Sequence, residues 1–526
     1  MAGFKLTYAT MYNPPEELHA NFDASLAKLK ANLGKEHAMI INGKDVFAEE
    51  KFEDRTPIDT SVVLAIMQKG NEKHAEQAMA AARKAFPGWS HTPWQERIRL
   101  LRKAADLIDE RLTDLGVVMA MEVGKNRMES MGDVAETADL IRYSCDMMEQ
   151  NDGFIKPMGK DPLPNHDVTN LSVLRPYGVW LVVSPFNFPF ALTGGPAGAA
   201  LAAGNTIVMK PATDTPFIVR LMAECFRDAG LPDGVANFVT GPGRTIGSAL
   251  VNSPEVDGVT FTGSYDVGMK MFRDFANGKF VRPMVLELGG KNPAVVTKNA
   301  NLDDAAQGIV RSAFGLQGQK CSAASRVYIQ EEVYDGLTAK LKELTEKLAI
   351  GDPTDRKVFL GPVMNKSSYQ DFQNFCADLG NSGKFLTGGK IITEGALEKG
   401  YYCAPTFAVD VPYSHHLWKE EMFLPITTIG KFKTLEEALV LANDVDYGLT
   451  AGVYGSEEET EYFFDKIEAG VTYANRPQGA TTGAWPGFQP FGGWKGSGSS
   501  GKNAGGYHYV QLYMHEQIRT LVRPKK

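Results

Sequence analysis

Between Asn71 and Phe86, and again from Trp94 to about Leu112, apolar residues recur every three or four positions among charged ones, the period of helices with one buried stripe. The early part of the chain is therefore helix-rich. Beyond it the pattern changes to short β-branched runs, at Val179 to Val183, Thr206 to Met209, Ala236 to Thr240 and Val259 to Phe261, separated by helical stretches such as Pro216 to Ala229. Strand alternating with helix predicts right-handed βαβ crossovers and a parallel, doubly wound sheet. A second series of the same kind runs from Met284 to about Val471, with strands near Ala294 to Val296 and Arg326 to Ile329 and helices near Asp303 to Phe314 and Glu331 to Ala349.

Two stretches depart from this rhythm. From Pro176 to Met209 the chain carries no charge, but prolines, glycines, Asn187 and Asn205 interrupt it, so it reads as strand, tight loop, helix and strand inside a globular domain rather than as a membrane span. From Pro477 to Gly506 the chain is dense in Gly, Pro and Ser, while Trp485, Phe488, Phe491 and Trp494 argue for a long ordered loop over a flexible linker.

The length of 526 residues suits two or three domains, and 43% hydrophobic with 22% charged residues is the balance of a globular protein. A net charge of −8 leaves no global basic surface, so neither nucleic acid nor anionic lipid is an expected partner. Five scattered cysteines without a CxxC argue against a disulfide framework or zinc ribbon and for a reducing, cytoplasmic setting. No apolar segment follows a basic start at the N-terminus, so no secretory signal is expected. Glycine, at 53 residues, is in excess and asks for a location.

Three residues could carry chemistry. Cys321, in Gly-Gln-Lys-Cys-Ser, follows glycines that expose it, with Lys320 beside it to favour a thiolate nucleophile; taken alone, a cysteine is more often a small buried hydrophobe. Glu287 ends an apolar run just before two glycines, where partial desolvation would raise its pKa toward that of a general base; its plain reading is a surface turn residue. Asn187, held between prolines and phenylalanines, could donate to a developing oxyanion or simply shape a turn.

Glycines also follow two strands. Gly241-Pro242-Gly243-Arg244-Thr245-Ile246-Gly247 has the spacing G-x-G-x-x-x-G, not the dinucleotide fingerprint, and Phe261-Thr262-Gly263-Ser264 also joins strand to helix, so two helix N-termini could face one phosphate-bearing ligand. Lys210-Pro211 closes a strand at the carboxyl edge where such folds bind ligands. No metal is expected: the adjacent His415 and His416 cannot share a helix face, and no metalloprotease motif or G-x-S-x-G elbow occurs.

Taken in order, Ser-Pro-Phe-Asn-Phe-Pro, Phe-Thr-Gly-Ser, Glu-Leu-Gly-Gly-Lys-Asn-Pro, Gly-Gln-Lys-Cys-Ser, Glu-Glu-Met-Phe-Leu-Pro and Gln-Pro-Phe-Gly-Gly resemble the aldehyde dehydrogenase superfamily over nearly the whole chain. The resemblance implies an α/β fold of two doubly wound Rossmann-like domains plus a small β oligomerisation arm. Residues 1–153 and 175–286 would bind nucleotide, 287–474 would carry the nucleophile, 154–174 and 506–526 would form the arm, and 475–505 would anchor substrate. Cys321 would attack an aldehyde, Asn187 and the Cys321 N–H would hold the oxyanion, and Glu287 would activate the water that hydrolyses the thioester.

The same likeness implies NAD or NADP as cofactor, with NAD favoured. Lys210 would meet the adenosine ribose, Ser264 the pyrophosphate, and Glu421 with Phe423 the nicotinamide ribose. Ser184, Pro185, Gly243, Gly247, Phe261, Gly263 and Leu288 complete that set. Thr213 stands where NAD-preferring relatives often carry an acid, so a 2′-phosphate is not repelled. Leu424 replaces a glycine of the family motif.

A long N-terminal arm before Ile40-Ile41-Asn42-Gly43-Lys44, Val134-Ala135-Glu136, Cys321-Ser322-Ala323-Ala324-Ser325-Arg326, and Thr482-Gly483-Ala484 ahead of Gln489-Pro490-Phe491 resemble, within the superfamily, the L-glutamate γ-semialdehyde (1-pyrroline-5-carboxylate) dehydrogenases of proline breakdown most. That likeness implies Ser322, Gly483 and Ala484 on the substrate α-carboxylate, Glu136 facing the α-amino group, and Phe188 and Phe491 on the methylenes. Glu136 also has a plain reading as an exposed helix carboxylate. Tyr507 to Val522 resembles a strand that crosses to a neighbouring subunit, implying a homodimer or larger homo-oligomer. Rival readings are a dehydrogenase for another aldehyde, a CoA-acylating enzyme and a non-catalytic scaffold.

Overall fold

The computed structural model describes residues 5–6, 13–479 and 485–525. Two seven-stranded sheets organise it. In the first, the strands Met284–Glu287, Gly258–Thr262, Val179–Val183, Thr206–Lys210 and Ala236–Phe238 lie side by side and parallel, and the hairpin Met39–Ile41 and Lys44–Val46 closes one edge antiparallel. Their near-continuous apolar runs are buried on both faces, as a parallel sheet covered by helices requires. The uncharged stretch resolves into strand Val179–Val183, helix Ala191–Ala203 and strand Thr206–Lys210, all but a few residues buried. Among the described residues no helix is long and apolar enough to cross a membrane.

The second sheet runs Lys384–Thr387, Thr406–Val409, Ile426–Phe432, Ala324–Gln330, Asn292–Val296, Thr450–Tyr454 and Val471–Ala474, parallel except at the first pair. The chain passes from the first sheet to the second through only Leu288 to Lys291, between Glu287 and Asn292.

Several boundaries differ from the sequence reading. The helix expected from Asn71 to Phe86 runs Glu72–His91, past Pro87, because Trp89 is buried and its indole N–H donates to the Leu201 carbonyl at 3.2 Å, holding the last turn on the core. The helix expected from Glu331 starts at Tyr334 after a 3-10 turn and ends at Glu346. The strand expected from Tyr507 begins only at Met514, since Tyr509, Val510 and Tyr513 are drawn into the core beneath the first sheet. From there Met514–Pro524 pairs antiparallel with His166–Pro176, whose other edge pairs with Ile155–Pro157. The aromatic-rich loop after Pro477 is pinned where it is described, through bridges Trp485 to Gln489, Phe491 to Ala504 and Glu287 to Gly498.

Candidate active site

Strand register brings the expected residues of the first sheet to one edge. Val183 pairs with both Lys210 and Phe261, and Thr262 pairs with Glu287, so Ser184, Lys210, Gly263 and Glu287 all stand at the carboxyl ends of neighbouring parallel strands, where doubly wound folds bind ligands. The second sheet offers its opposite end: Cys321 lies just before Ala324–Gln330, and Glu421 and Phe423 lie just before Ile426–Phe432. Between them is a cleft of about 1000 Å³. Its wall contains Ser184, Pro185, Asn187, Lys210, Thr213, Gly243 and Gly247, then Phe261, Gly263, Ser264, Leu288, Cys321, Glu421 and Phe423.

Chemistry along the cleft changes from one end to the other. The Lys210 ammonium is buried with the Pro211 carbonyl 2.8 Å away, and burial lowers its pKa to about 8. Ser264 precedes helix Tyr265–Ala276 without a side-chain capping bond, leaving its hydroxyl and the first helical N–H groups for an anion. The other glycine turn is not the simple helix start expected of it: Gly243–Gly247 winds as a π-helical turn before the single α turn Ser248–Val251. Of its glycines, Gly241 is the one that packing demands, since a Cβ there would lie 2.7 Å from the Gly70 carbonyl at a φ of +138°. An orphaned hydroxyl, a desolvated ammonium and an elongated cavity form a cradle that fits a dinucleotide.

At the other end the turn that carries Cys321 is tied down from three directions. Asn292 donates through Nδ2 to the carbonyls of Cys321 (2.7 Å) and Ala323 (2.8 Å), while its Oδ1 accepts the Thr450 N–H at 2.9 Å. Leu316 and Gln317 adopt left-handed φ values of 46° and 55°, strain that persists because Gln317 Nε2 bridges the Gly124 and Pro362 carbonyls and Leu316 N–H donates to Glu129. Gly290 closes the third side. A Cβ on it would stand 2.3 Å from the Cys321 carbonyl oxygen, so Gly290→Ala is expected to displace Cys321 and lower kcat/KM by about 10²-fold. Steady-state kinetics with a thermal melt checks this; activity near that of the parent would mean the turn yields without cost.

The Lys320 side chain does not serve the thiol as the sequence suggested. It is buried in an ion pair with Glu129 at 2.6 Å, next to a second buried pair, Lys125 with Asp133 at 2.7 Å. Burial raises the Cys321 pKa, and the carboxylates of Glu421 and Glu287 raise it further; the N–H groups of Ser322 and Cys321 itself favour the thiolate. The Lys320–Glu129 pair gives geometry rather than charge to Cys321, joining helix Arg127–Gln150 to its turn.

Glu287 is 7% exposed, not a surface turn residue, and burial pushes its carboxyl well above the usual range; its Oε2 has no hydrogen-bond partner among the described residues. Asn187 is buried and spends one of its two amide hydrogens on the Gln319 carbonyl at 2.9 Å, leaving the other. Glu421 accepts the Gly290 N–H at 2.8 Å, and burial raises its pKa to about 7. Leu424 turns into the core of the second sheet, 4% exposed, so its bulk does not remove Glu421 or Phe423 from the cleft.

Among the residues expected on substrate, Glu136 is 3% exposed, which overturns its plain reading as a solvent-facing carboxylate. Phe491 forms a small cluster with Leu449 and Val471 against which Cys321 rests, and Phe188 lies in the main core with the Lys125 ammonium 3.4 Å from its ring centre. Ser322 is buried, its carbonyl 3.3 Å from the Thr450 hydroxyl. None of these four lines the cleft, and Gly483 and Ala484 lie outside the described residues. His415 and His416 do converge, on Asp378, contrary to the sequence reading. Nδ1 of His415 accepts the Leu417 N–H, while Nε2 of His416 lies 2.7 Å and Nε2 of His415 3.5 Å from the Asp378 carboxylate.

Sequence reasoning missed Asn292, although it stood in a quoted motif, and the buried pairs Lys125–Asp133 and Lys320–Glu129. The signal for the pairs was a helix with charges on every side and no clean apolar stripe.

The aldehyde dehydrogenase family profile matches residues 46–518, and the chain belongs to that family. A 1-pyrroline-5-carboxylate dehydrogenase of Geobacillus sp. (strain WCH70) is 38% identical over 506 residues, 95% of each chain. Among solved structures, 1-pyrroline-5-carboxylate dehydrogenase from Thermus with bound NAD is 34% identical, with a TM-score of 0.91 over 97% of each chain. Proline utilization A from Bdellovibrio bacteriovorus is 33% identical with a TM-score of 0.90; the match covers 95% of this chain and 51% of that one, about half its length.

Proposed function

We propose that the protein oxidises L-glutamate γ-semialdehyde to L-glutamate with NAD or NADP through a thioester on Cys321. The observation that carries the chemistry is the single cleft in which a cradle for a dinucleotide ends at Cys321, with Asn187 on its wall and the buried Glu287 at the adjoining strand end. The substrate rests on the relatives' activity and on the burial of Glu136.

Cys321 adds to the aldehyde carbon as a thiolate, favoured by two backbone N–H groups. The oxyanion that forms is met by the free Asn187 amide hydrogen and the Cys321 N–H. Lys210, Ser264 and Glu421 would hold NAD(P)⁺, which would take up the hydride that leaves the former aldehyde carbon as the oxyanion collapses to the thioester. Glu287, ionised, takes a proton from water as that water attacks the thioester, and the thiol is released with the carboxylate product. Phe188 and Phe491 border the methylenes, and Ser322, Gly483, Ala484 and Glu136 recognise the amino-acid end.

The domain division follows from this reading: 1–153 with 175–286 for the nucleotide, 287–474 for the thioester, 475–505 for the substrate's far end. Residues 154–174 with the strand from Met514 form the arm of a homodimer or larger assembly, a role supported by exposed Ile518, Leu521 and Val522 on an edge strand, while 506–513, expected in the arm, sit in the core. Five free thiols suit a cytoplasmic setting.

The deciding experiment compares glutamate semialdehyde, succinate semialdehyde and a simple aliphatic aldehyde, each with both nucleotides. Glutamate semialdehyde is expected to lead in kcat/KM by more than about tenfold. Equal rates would mean the α-amino-acid end is not recognised, and a requirement for CoA would replace hydrolysis with acyl transfer to a thiol.

A further inference from the structure

Helix Arg127–Gln150 carries Glu129, Asp133 and Glu136 buried along one face, spaced by four and then three residues. Glu129 holds the Cys321 turn through Lys320, and Glu136 is the acid assigned to the substrate's amino group. Asp133 lies between them and serves a different segment. Its Oδ2 meets the Lys125 ammonium at 2.7 Å, and its Oδ1 accepts the Ala191 N–H at 2.8 Å, at the first residue of helix Ala191–Ala203. Neither Lys125 nor Asp133 is exposed to solvent. Burial works against the charge of each, and the partner's charge supports it.

The pair grips one short segment at two points. Lys125 Nζ lies 3.4 Å from the centre of the Phe188 ring, well within the range at which an ammonium and an aromatic face attract. Three residues on, Asp133 takes the Ala191 N–H. Asn187, on the wall of the cleft, directly precedes Phe188 and so leaves the gripped segment in a fixed direction. Its Nδ2 donates to the Gln319 carbonyl at 2.9 Å, and Lys320 Nζ stands 5.8 Å from the same Phe188 ring. The loop of Asn187 and the turn of Cys321 thus hang from two acids four residues apart, and a single helix spaces them.

We propose that Lys125, locked by Asp133 and seated on the Phe188 ring, is a positioning residue that aims the Asn187 amide at the oxyanion formed when Cys321 adds to the aldehyde. The proposal rests on Asn187 being the oxyanion donor. Lys125 does not line the cleft and acts through Asn187. A donor of this kind works only while it points at the place where charge develops, and a displacement of about 1 Å is enough to cost about 10²-fold.

Lys125→Met combined with Asp133→Asn leaves no lone buried charge and keeps an oxygen for the Ala191 N–H, while the ammonium over Phe188 is gone. This pair variant is expected to lower kcat and kcat/KM together by about 10- to 10²-fold, with the KM for aldehyde within about twofold of the parent, because the lost aim matters only in the transition state. The same two substitutions in an Asn187→Ala background are expected to change kcat by less than about twofold, since no amide is left to aim. An equal fold loss in both backgrounds would make the pair a general support of the core and overturn the positioning role, and so would a parent-like kcat in the pair variant. If circular dichroism and thermal melting show that the pair variant does not fold, Phe188→Leu, which removes the ring and leaves the ion pair whole, takes its place in the same cycle with the same criterion for kcat. Should Asn187→Ala alone keep the parent's kcat, the oxyanion reading falls and takes this inference with it.

Discussion

Replacing Cys321 by alanine is expected to lower aldehyde-dependent NAD(P)H formation by about 10⁴-fold or more, with nucleotide binding unchanged. The size of the loss follows from the absence of a substitute. The other four cysteines are buried, and burial raises their thiol pKa values too. The turn is expected to survive the change, because Asn292 grips the carbonyl of residue 321 and not its side chain. Absorbance at the reduced nicotinamide band, with a fluorescence titration of nucleotide, measures both quantities. Turnover within tenfold of the parent would remove Cys321 from the mechanism.

Glu287→Gln is expected to separate the two halves of the reaction. The amide has the carboxylate's shape but cannot take a proton, so a stoichiometric burst of NAD(P)H is expected, followed by turnover slowed by about 10²- to 10⁴-fold. Intact-protein mass spectrometry would find the acyl group on Cys321; a variant that turns over freely without that adduct would assign hydrolysis to another base. In the parent the base works only when ionised, and burial raises its pKa, so kcat falls as pH drops through that raised value. The variant lacks this limb. Stability carries the opposite sign. An acid whose pKa is raised by folding favours the folded state at low pH, and that contribution fades as pH rises through the folded value, so the glutamine variant is expected to gain melting temperature relative to the parent on the alkaline side.

Much of this arrangement was legible in the chain because local signals and global fold agree. The strands Val179–Val183 and Thr206–Lys210 and the helix Pro216–Ala229 are where the pattern placed them to within a residue, since each is a short apolar run closed by Gly, Pro or a charge. The cleft residues were legible because motifs sit at strand ends, and register alone brings strand ends together. What periodicity could not reveal is direction. Lys320 adjoins Cys321 in sequence, yet its ammonium goes to Glu129, nearly two hundred residues earlier, because the turn places Lys320 against helix Arg127–Gln150. Glu136 reads as an exposed charge for the same reason: a helix enclosed by others buries all its faces, and its acids then look like those of a surface. Tyr509 and Tyr513 read as part of a strand because alternation does not tell an edge from a plug.

That plug has a consequence for how the molecule comes into being. Tyr513 fills the space between Trp180, Thr260 and Asn205, so the first sheet, though its strands are translated much earlier, keeps an unfilled hole until this late part of the chain leaves the ribosome. A nascent chain can carry Cys321, Asn292 and the whole nucleotide cradle and still lack the finished surroundings of Glu287. The sealing of that core therefore waits on the C-terminal segment, and a chain that ends before residue 509 leaves Trp180, Thr260 and Asn205 without the residue that packs on them.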